Sequence, residues 1–185
     1  MNQNWIAVVG SPRIGENTDL IVDYLTQTLK NKNITVTKYI LDSKNITTCS
    51  GCECCIKTGT CIINDDISNI INHMKIADGF ILASPTYNYN VTAQMKALLD
   101  RTFCLNDYSD GCRSRLLPNK KAVVVGVCRG KLKNSMGFTV DSMVKTLTDL
   151  EVEIINTFEY YDTKNQPVNN NPNIRNRLDE MLLGI

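Results

Sequence analysis

Apolar residues along this chain follow two alternating rhythms. Continuous runs at Trp5 to Val9, Gly79 to Ser84 and Ala122 to Val127 read as strands buried on both faces. Ile34 to Leu41 alternates and is rich in β-branched residues, which predicts a further strand, and Val152 to Phe158 predicts the last of five. Between these runs the spacing turns helical. Leu20, Ile21, Tyr24, Leu25 and Leu29 share one face of a helix from about Asn17 to Lys30. Asn64-Asp65-Asp66 opens another, with Ile67, Ile70, Ile71 and Met74 on its core face and acids where the helix dipole favours them. Three more apolar stripes follow: Val91, Met95, Leu98, Leu99 and Phe103; Val140, Met143, Val144, Leu147 and Leu150; and Ile174, Leu178, Met181 and Leu182.

Strands alternating with helices in this way predict an α/β fold, a parallel sheet with helices on both faces. Ligands of such sheets sit outside the C-terminal strand ends. Three loops of unusual composition lie there: Ser11 to Thr18, Pro85 to Asn90 and Cys128 to Lys131. In the first, small and polar residues turn the chain between a strand ending at Gly10 and the helix near Asn17. Such a turn aims backbone N–H groups and the positive end of a helix dipole at one spot, which makes an anion site. The dipole supplies only about 0.3–1 kcal/mol per contact, so the Ser11 and Thr18 hydroxyls and the Arg13 charge have to add to it. Neither G-x-G-x-x-G nor G-x-x-x-x-G-K-[ST] is present. The plain alternative is a βα turn capped by Asn17.

Composition narrows the function. A chain of 185 residues, 43% hydrophobic and 21% charged, is expected to fold as a single domain over residues 1–185 with a real core. The formal charge of +1 gives no reason to expect nucleic acid or an acidic membrane surface as partner. No apolar run approaches the roughly 20 residues that span a bilayer, and Met1-Asn2-Gln3-Asn4-Trp5 lacks the pattern of a signal peptide. Of eight cysteines, five fall between Cys49 and Cys61. Crowding of this kind points to metal or redox chemistry in a reducing compartment, so the expectation is cytoplasmic. Cys49-x-x-Cys52-x-x-Cys55-x5-Cys61, in a loop spanning 45–63, suits an iron–sulfur cluster with its four thiolates. A structural zinc site would more often show two separated C-x-x-C knuckles. Cys54 is a bystander in that pattern, and Cys104 and Cys112 read as ordinary thiols.

Three motifs in order, Gly10-Ser11-Pro12-Arg13-x-x-x-Asn17-Thr18, Ser84-Pro85-x-Tyr87 and Met95-Lys96-x-x-x-Asp100-Arg101, resemble the NAD(P)H-dependent FMN reductase group of flavodoxin-like proteins. Glu16 stands where many members have glycine. The resemblance implies a flavodoxin-like three-layer sandwich with strand order 2-1-3-4-5 and FMN across the strand ends. By the same resemblance Ser11, Arg13, Asn17 and Thr18 hold the FMN phosphate. Pro85, Thr86, Tyr87 and Asn88 line the isoalloxazine ring, and Cys128, Arg129 and Gly130, on the third loop, complete the cofactor-binding set. The cysteine spacing resembles the iron–sulfur flavoproteins, a branch of that family, which implies a [4Fe-4S] cluster on Cys49, Cys52, Cys55 and Cys61.

The expected function is therefore an FMN-dependent oxidoreductase that takes a hydride from NAD(P)H and passes electrons to a quinone, a flavin or another acceptor, and the resemblance further implies a homodimer or homotetramer. Two alternatives from other classes are an electron carrier between protein partners without NAD(P)H turnover, and a redox sensor built on the cysteine loop. Short carriers of this fold have acidic docking surfaces, which a neutral chain does not offer. Lys96, Asp100 and Arg101 are read as anchors of a helix or a subunit contact. His73, the sole histidine, is read as a surface residue, and Tyr160-Tyr161 as either packing or a cover for a neighbouring flavin.

Overall fold

In the computed structural model, which describes residues 3–182, the five apolar runs join into one sheet. Its strands are β1 (Asn4–Val9), β2 (Thr35–Ile40), β3 (Gly79–Pro85), β6 (Lys121–Val127) and β7 (Glu153–Tyr160), in spatial order β2-β1-β3-β6-β7. Every neighbouring pair is parallel, so the order is 2-1-3-4-5 when the sheet strands alone are numbered. Strand periodicity then divides the core in two. Ile6, Val8, Phe80, Leu82, Ala122 and Val124 face one layer of helices, formed by α3 (Asp66–Ile76), α4 (Ala93–Arg101) and α5 (Thr139–Asp149). Trp5, Ala7, Val9, Ile81, Ala83, Val123 and Val125 face α1 (Asn17–Asn31) and α6 (Ile174–Glu180) on the other side. The three-layer sandwich follows from which face each alternate residue presents.

Three local differences from the sequence reading have physical causes. Phe103 lies beyond the end of α4, in a 3-10 turn over Thr102–Leu105, and is 38% exposed rather than on the buried stripe. Ile155 has no partner in the register, because the pairing slips between Ala122 and Val123, and β7 pairs on to Tyr160, past the Phe158 read from the sequence. The stretches 45–63 and 106–119 also contain elements too short for a periodic signal: α2 (Cys54–Thr58), and the antiparallel pair β4 (Asn106–Asp107) and β5 (Arg113–Ser114). Met1, Asn2 and 183–185, which belong to the single-domain and amino-terminal expectations, lie outside the described residues.

Candidate functional site

The β1 strand ends against β3 by the bond from Gly10 N–H to the Ala83 carbonyl at 2.8 Å. Thr92, the N-cap of α4, donates its hydroxyl to the Gly10 carbonyl at 2.8 Å, and its N–H donates to Ser84 Oγ at 3.1 Å. A Cβ on Gly10 would come to 3.0 Å from Met95 Cβ and Thr92 Oγ1, so a larger residue would push these segments apart by a few tenths of an ångström. From there the chain runs through Ser11 into α1. Ser11 and Thr18 are 3% exposed and Asn17 8%, while Arg13 and Glu16 face solvent. Ser11 Oγ accepts from the Arg13 N–H at 3.2 Å, which leaves its own proton to donate. The first bond of the α1 ladder runs from Leu20 N–H to Glu16 O, so the N–H groups of Asn17, Thr18 and Asp19 lie outside the ladder. The buried Asp19 carboxylate in that turn is neutralised by Lys38 at 2.6 Å and accepts the Gly15 N–H at 2.8 Å. The cap itself is Glu16, without a side-chain bond. Asn17 instead accepts the Val168 N–H on its Oδ1 at 2.7 Å, so the turn is not the Asn17-capped one considered from sequence.

The second loop is a two-residue turn in which Tyr87 and Asn90 exchange backbone bonds of 2.8 and 3.1 Å around Asn88 and Tyr89. Both central residues have positive φ, 47° and 66°, the geometry of a type I′ turn, held here without glycine. Gly137 and Phe138 hold it in place: Phe138 N–H donates to Tyr89 O at 2.7 Å, and a Cβ on Gly137 would lie 2.1 Å from that oxygen. Thr86 N–H is used by Val127 O and Tyr87 N–H by Asn90 O. Among the described residues the unused amides of this loop are those of Asn88 and Tyr89, not of Thr86 and Tyr87. In the third loop the buried Cys128 donates to Ser135 O and accepts the Gly130 N–H on its sulfur, each at 3.2 Å. Cys128 and Gly130 thus shape that loop from within. Burial first, and Glu159 beside it, push the Tyr161 phenol far above its ordinary value.

Ser11, Arg13, Asn17, Thr18, Pro85, Thr86, Tyr87 and Arg129 line one cavity of about 210 Å³, together with Glu16, Val127 and Thr163. Asn88, Cys128 and Gly130 are not among its walls. Thr163 was missed because it follows β7, whose end borders the site only through the strand order. A wider groove of about 720 Å³ beside α6 is walled mainly by aliphatic and amide side chains, with Arg175 its one charged group, and none of the three loops singled out in the sequence lines it.

Cys49, Cys52, Cys55 and Cys61 line a second cavity, of about 370 Å³, with Asp100 and Phe103 in its wall. Among the described residues no three His, Cys, Asp or Glu side chains converge as the ligands of a single metal ion. Cys54 is not in the cavity wall. Its N–H and thiol, directed at Cys52, hold the Cys52 thiol below its ordinary value, while burial pushes Cys55 up. The neck of the loop is closed by Arg101, whose side chain is fully enclosed. Its Nη1 donates to Thr47 O at 3.0 Å and Asp65 Oδ2 at 2.7 Å, and its Nη2 to Ile63 O at 2.9 Å and Ser68 Oγ at 2.8 Å. Asp65 also caps α3. Arg101 is thus an anchor, as read from sequence, and what it anchors is the cysteine loop. His73 is half-buried between Tyr39 and Asn4 at 2.8 and 3.1 Å, away from both cavities.

The profile of the NADPH-dependent FMN reductases matches residues 4–161. The chain belongs to this family. Among curated relatives, an iron-sulfur flavoprotein of Archaeoglobus fulgidus is 38% identical over 96 residues, covering 52% of this chain and 44% of the relative. One of Clostridioides difficile is 29% identical over 141 residues, covering 75% and 58%. The chain spans about half the length of the curated relatives it matches. Among solved structures, an FMN-dependent NADH-azoreductase from Bacillus anthracis in complex with FMN superposes with a TM-score of 0.71 at 12% identity, over 97% of this chain and 96% of that one. That likeness is one of fold. For an FMN reductase fold the strand-end cavity has a fitting donor set: a buried hydroxyl with a free proton, N–H groups outside the α1 ladder, and an exposed guanidinium, all suited to a phosphate.

Proposed function

We propose that this chain is a single FMN-binding domain over residues 1–185 and an NAD(P)H-dependent oxidoreductase. Ser11, Arg13, Asn17, Thr18 and the start of α1 would hold the FMN phosphate, and Pro85, Thr86, Tyr87, Asn88 and Arg129 would face the ring. Cys128 and Gly130 would shape the third loop. The observation that carries the reading is that three loops far apart in sequence wall one strand-end cavity with anion-binding groups. FMN held there would supply hydride chemistry between NAD(P)H and a quinone, flavin or other acceptor. The protein's part is to bind, orient and exclude water. No His–carboxylate pair is needed for such a step, and His73 is engaged elsewhere.

Cys49, Cys52, Cys55 and Cys61 would hold a [4Fe-4S] cluster. Four thiols lining one roomy cavity support that reading, and their spacing lacks the two separated knuckles usual in a structural zinc site. Exposed thiols persist in a reducing compartment, in keeping with the cytoplasm; among the described residues no helix is long and apolar enough to cross a membrane. Exposed Ile14, Tyr87, Tyr89, Leu132 and Phe138 on the strand-end loops support a homodimer or homotetramer that covers them. The deciding test is the absorbance of an anaerobic preparation, with iron and acid-labile sulfide assayed on the same sample. Flavin bands with about four irons per chain support both sites. Flavin without iron or sulfide removes the cluster, and no flavin even after added FMN removes the central reading.

A further inference from the structure

An arginine carries five N–H donors, and four of those of Arg101 go to Thr47, Asp65, Ile63 and Ser68 as described. The fifth, on Nε, is buried and has no hydrogen-bond partner among the described residues. Orphaned buried donors are rare in native structures and call for a physical reason. Tethering the neck of the loop is not that reason, because the two terminal nitrogens already do it. Cys61 stands next to these partners: it lines a small cavity with Ser68, whose Oγ the same guanidinium binds. A protonated thiol is a weak acceptor, whereas a metal-bound thiolate makes a charge-assisted bond.

We propose that Arg101 Nε–H donates to the Cys61 sulfur when that sulfur is a cluster ligand, making Arg101 the positioning residue that closes the cysteine shell and raises its reduction potential. This rests on the cluster reading above. Cys61 is placed for it: two residues further on, the Ile63 carbonyl is already bound by the same guanidinium. The physical effect follows from that hydrogen bond. A cluster gains negative charge on reduction, and an N–H donated to one of its sulfurs favours the more negative state. Lysine at this position keeps the charge and loses the fork and the Nε–H.

The test uses the reconstituted holoprotein, labelled with [15N]arginine, as wild type, Arg101→Lys and Arg115→Lys. Arg115 is the control because it also touches the loop, donating to Ile56 O at 3.2 Å. The expected result is a lower cluster midpoint potential in Arg101→Lys and the wild-type value in Arg115→Lys. Pulsed EPR of the reduced cluster is expected to show an arginine nitrogen coupling in wild type and Arg115→Lys that Arg101→Lys lacks. Equal potentials in wild type and Arg101→Lys overturn the inference. Absence of the coupling in wild type overturns it as well, even if Arg101→Lys does not fold or load. Absence of iron and sulfide in reconstituted wild type is a different failure, that of the cluster reading itself.

Discussion

Ser11 and Thr18 stand at the end of a sheet in which every neighbouring strand pair is parallel, backed by Gly10, Thr92 and Ser84. Cys49, Cys52, Cys55 and Cys61 hang on a loop outside it. The strand-end cavity takes its geometry from the fold, and the Ser11, Asn17 and Thr18 side chains in it are buried before any ligand arrives. The cysteine cavity takes its geometry from one buried ion pair at the neck, Arg101 to Asp65, while Cys49 and Cys52 remain exposed. A site built on strand ends is preorganised; a site built on a tethered loop is completed by what it binds. The two are therefore expected to respond differently to substitution.

The largest separation is expected from Cys52→Ser. Cys52 is exposed and at the rim of its cavity, so bound iron should fall to background while flavin content holds. Iron, sulfide and flavin measured on one sample check it. Joint loss of iron and flavin would show that the loop supports the strand-end cavity, and the contrast between the two sites would collapse.

Next in size is Arg101→Ala, which leaves the enclosed Asp65 carboxylate unpaired. Removing one partner of a buried pair costs about 3–5 kcal/mol, read by urea unfolding. Acid should act in the same direction. Burial alone would raise the Asp65 carboxyl, but Arg101 and the N–H groups of Thr47 and Ser68 hold it below its ordinary value. Its stabilisation is thus complete above the unfolded-state value, about 3.9, and is lost as pH falls toward the lower folded-state value. Arg101→Ala should lose this part of the acid sensitivity; an unchanged acid profile would remove the pair as the fastener of the loop.

A smaller effect on the other site is expected from Gly137→Ala. The new Cβ would meet Tyr89 O at 2.1 Å in a backbone with φ of +55°. Strain of this kind costs about 1–3 kcal/mol, and it falls on the turn at Asn88 and Tyr89. A lower Tm with weaker FMN binding and unchanged iron would sharpen the comparison; weaker iron binding instead would blur it.

The strand-end site was legible in the chain because its parts are local. A strand ending at Gly10, two hydroxyls and a helix start lie within nine residues, and strand order brings Pro85 to Tyr87 and Arg129 to the same place. What was not legible depends on contacts across the sequence. Asn17 is diverted from capping by the Val168 amide, 151 positions away. The amides of Thr86 and Tyr87 are consumed by Val127 and by the turn. For the cysteines, spacing named the thiols but not Arg101, because a guanidinium reaching back over a gap of 54 residues to Thr47 leaves no periodic trace. The Asp100-Arg101 pair in the third motif was the one signal, and only the fold says what it grips.

The finest test of the strand-end cavity is Arg13→Ala. Arg13 is exposed and its guanidinium has no ion pair among the described residues, so its removal should leave folding stability unchanged. Its contribution to a bound phosphate is that of one exposed charge-assisted contact. The FMN dissociation constant should rise about tenfold, equivalent to about 1.4 kcal/mol, and the loss should shrink as added salt screens the charge in wild type. Fluorescence titration of FMN at two salt concentrations measures both quantities. An unchanged constant would move the phosphate site wholly onto Ser11, Thr18 and the first turn of α1, groups that the sheet holds in place whether or not Arg13 is there.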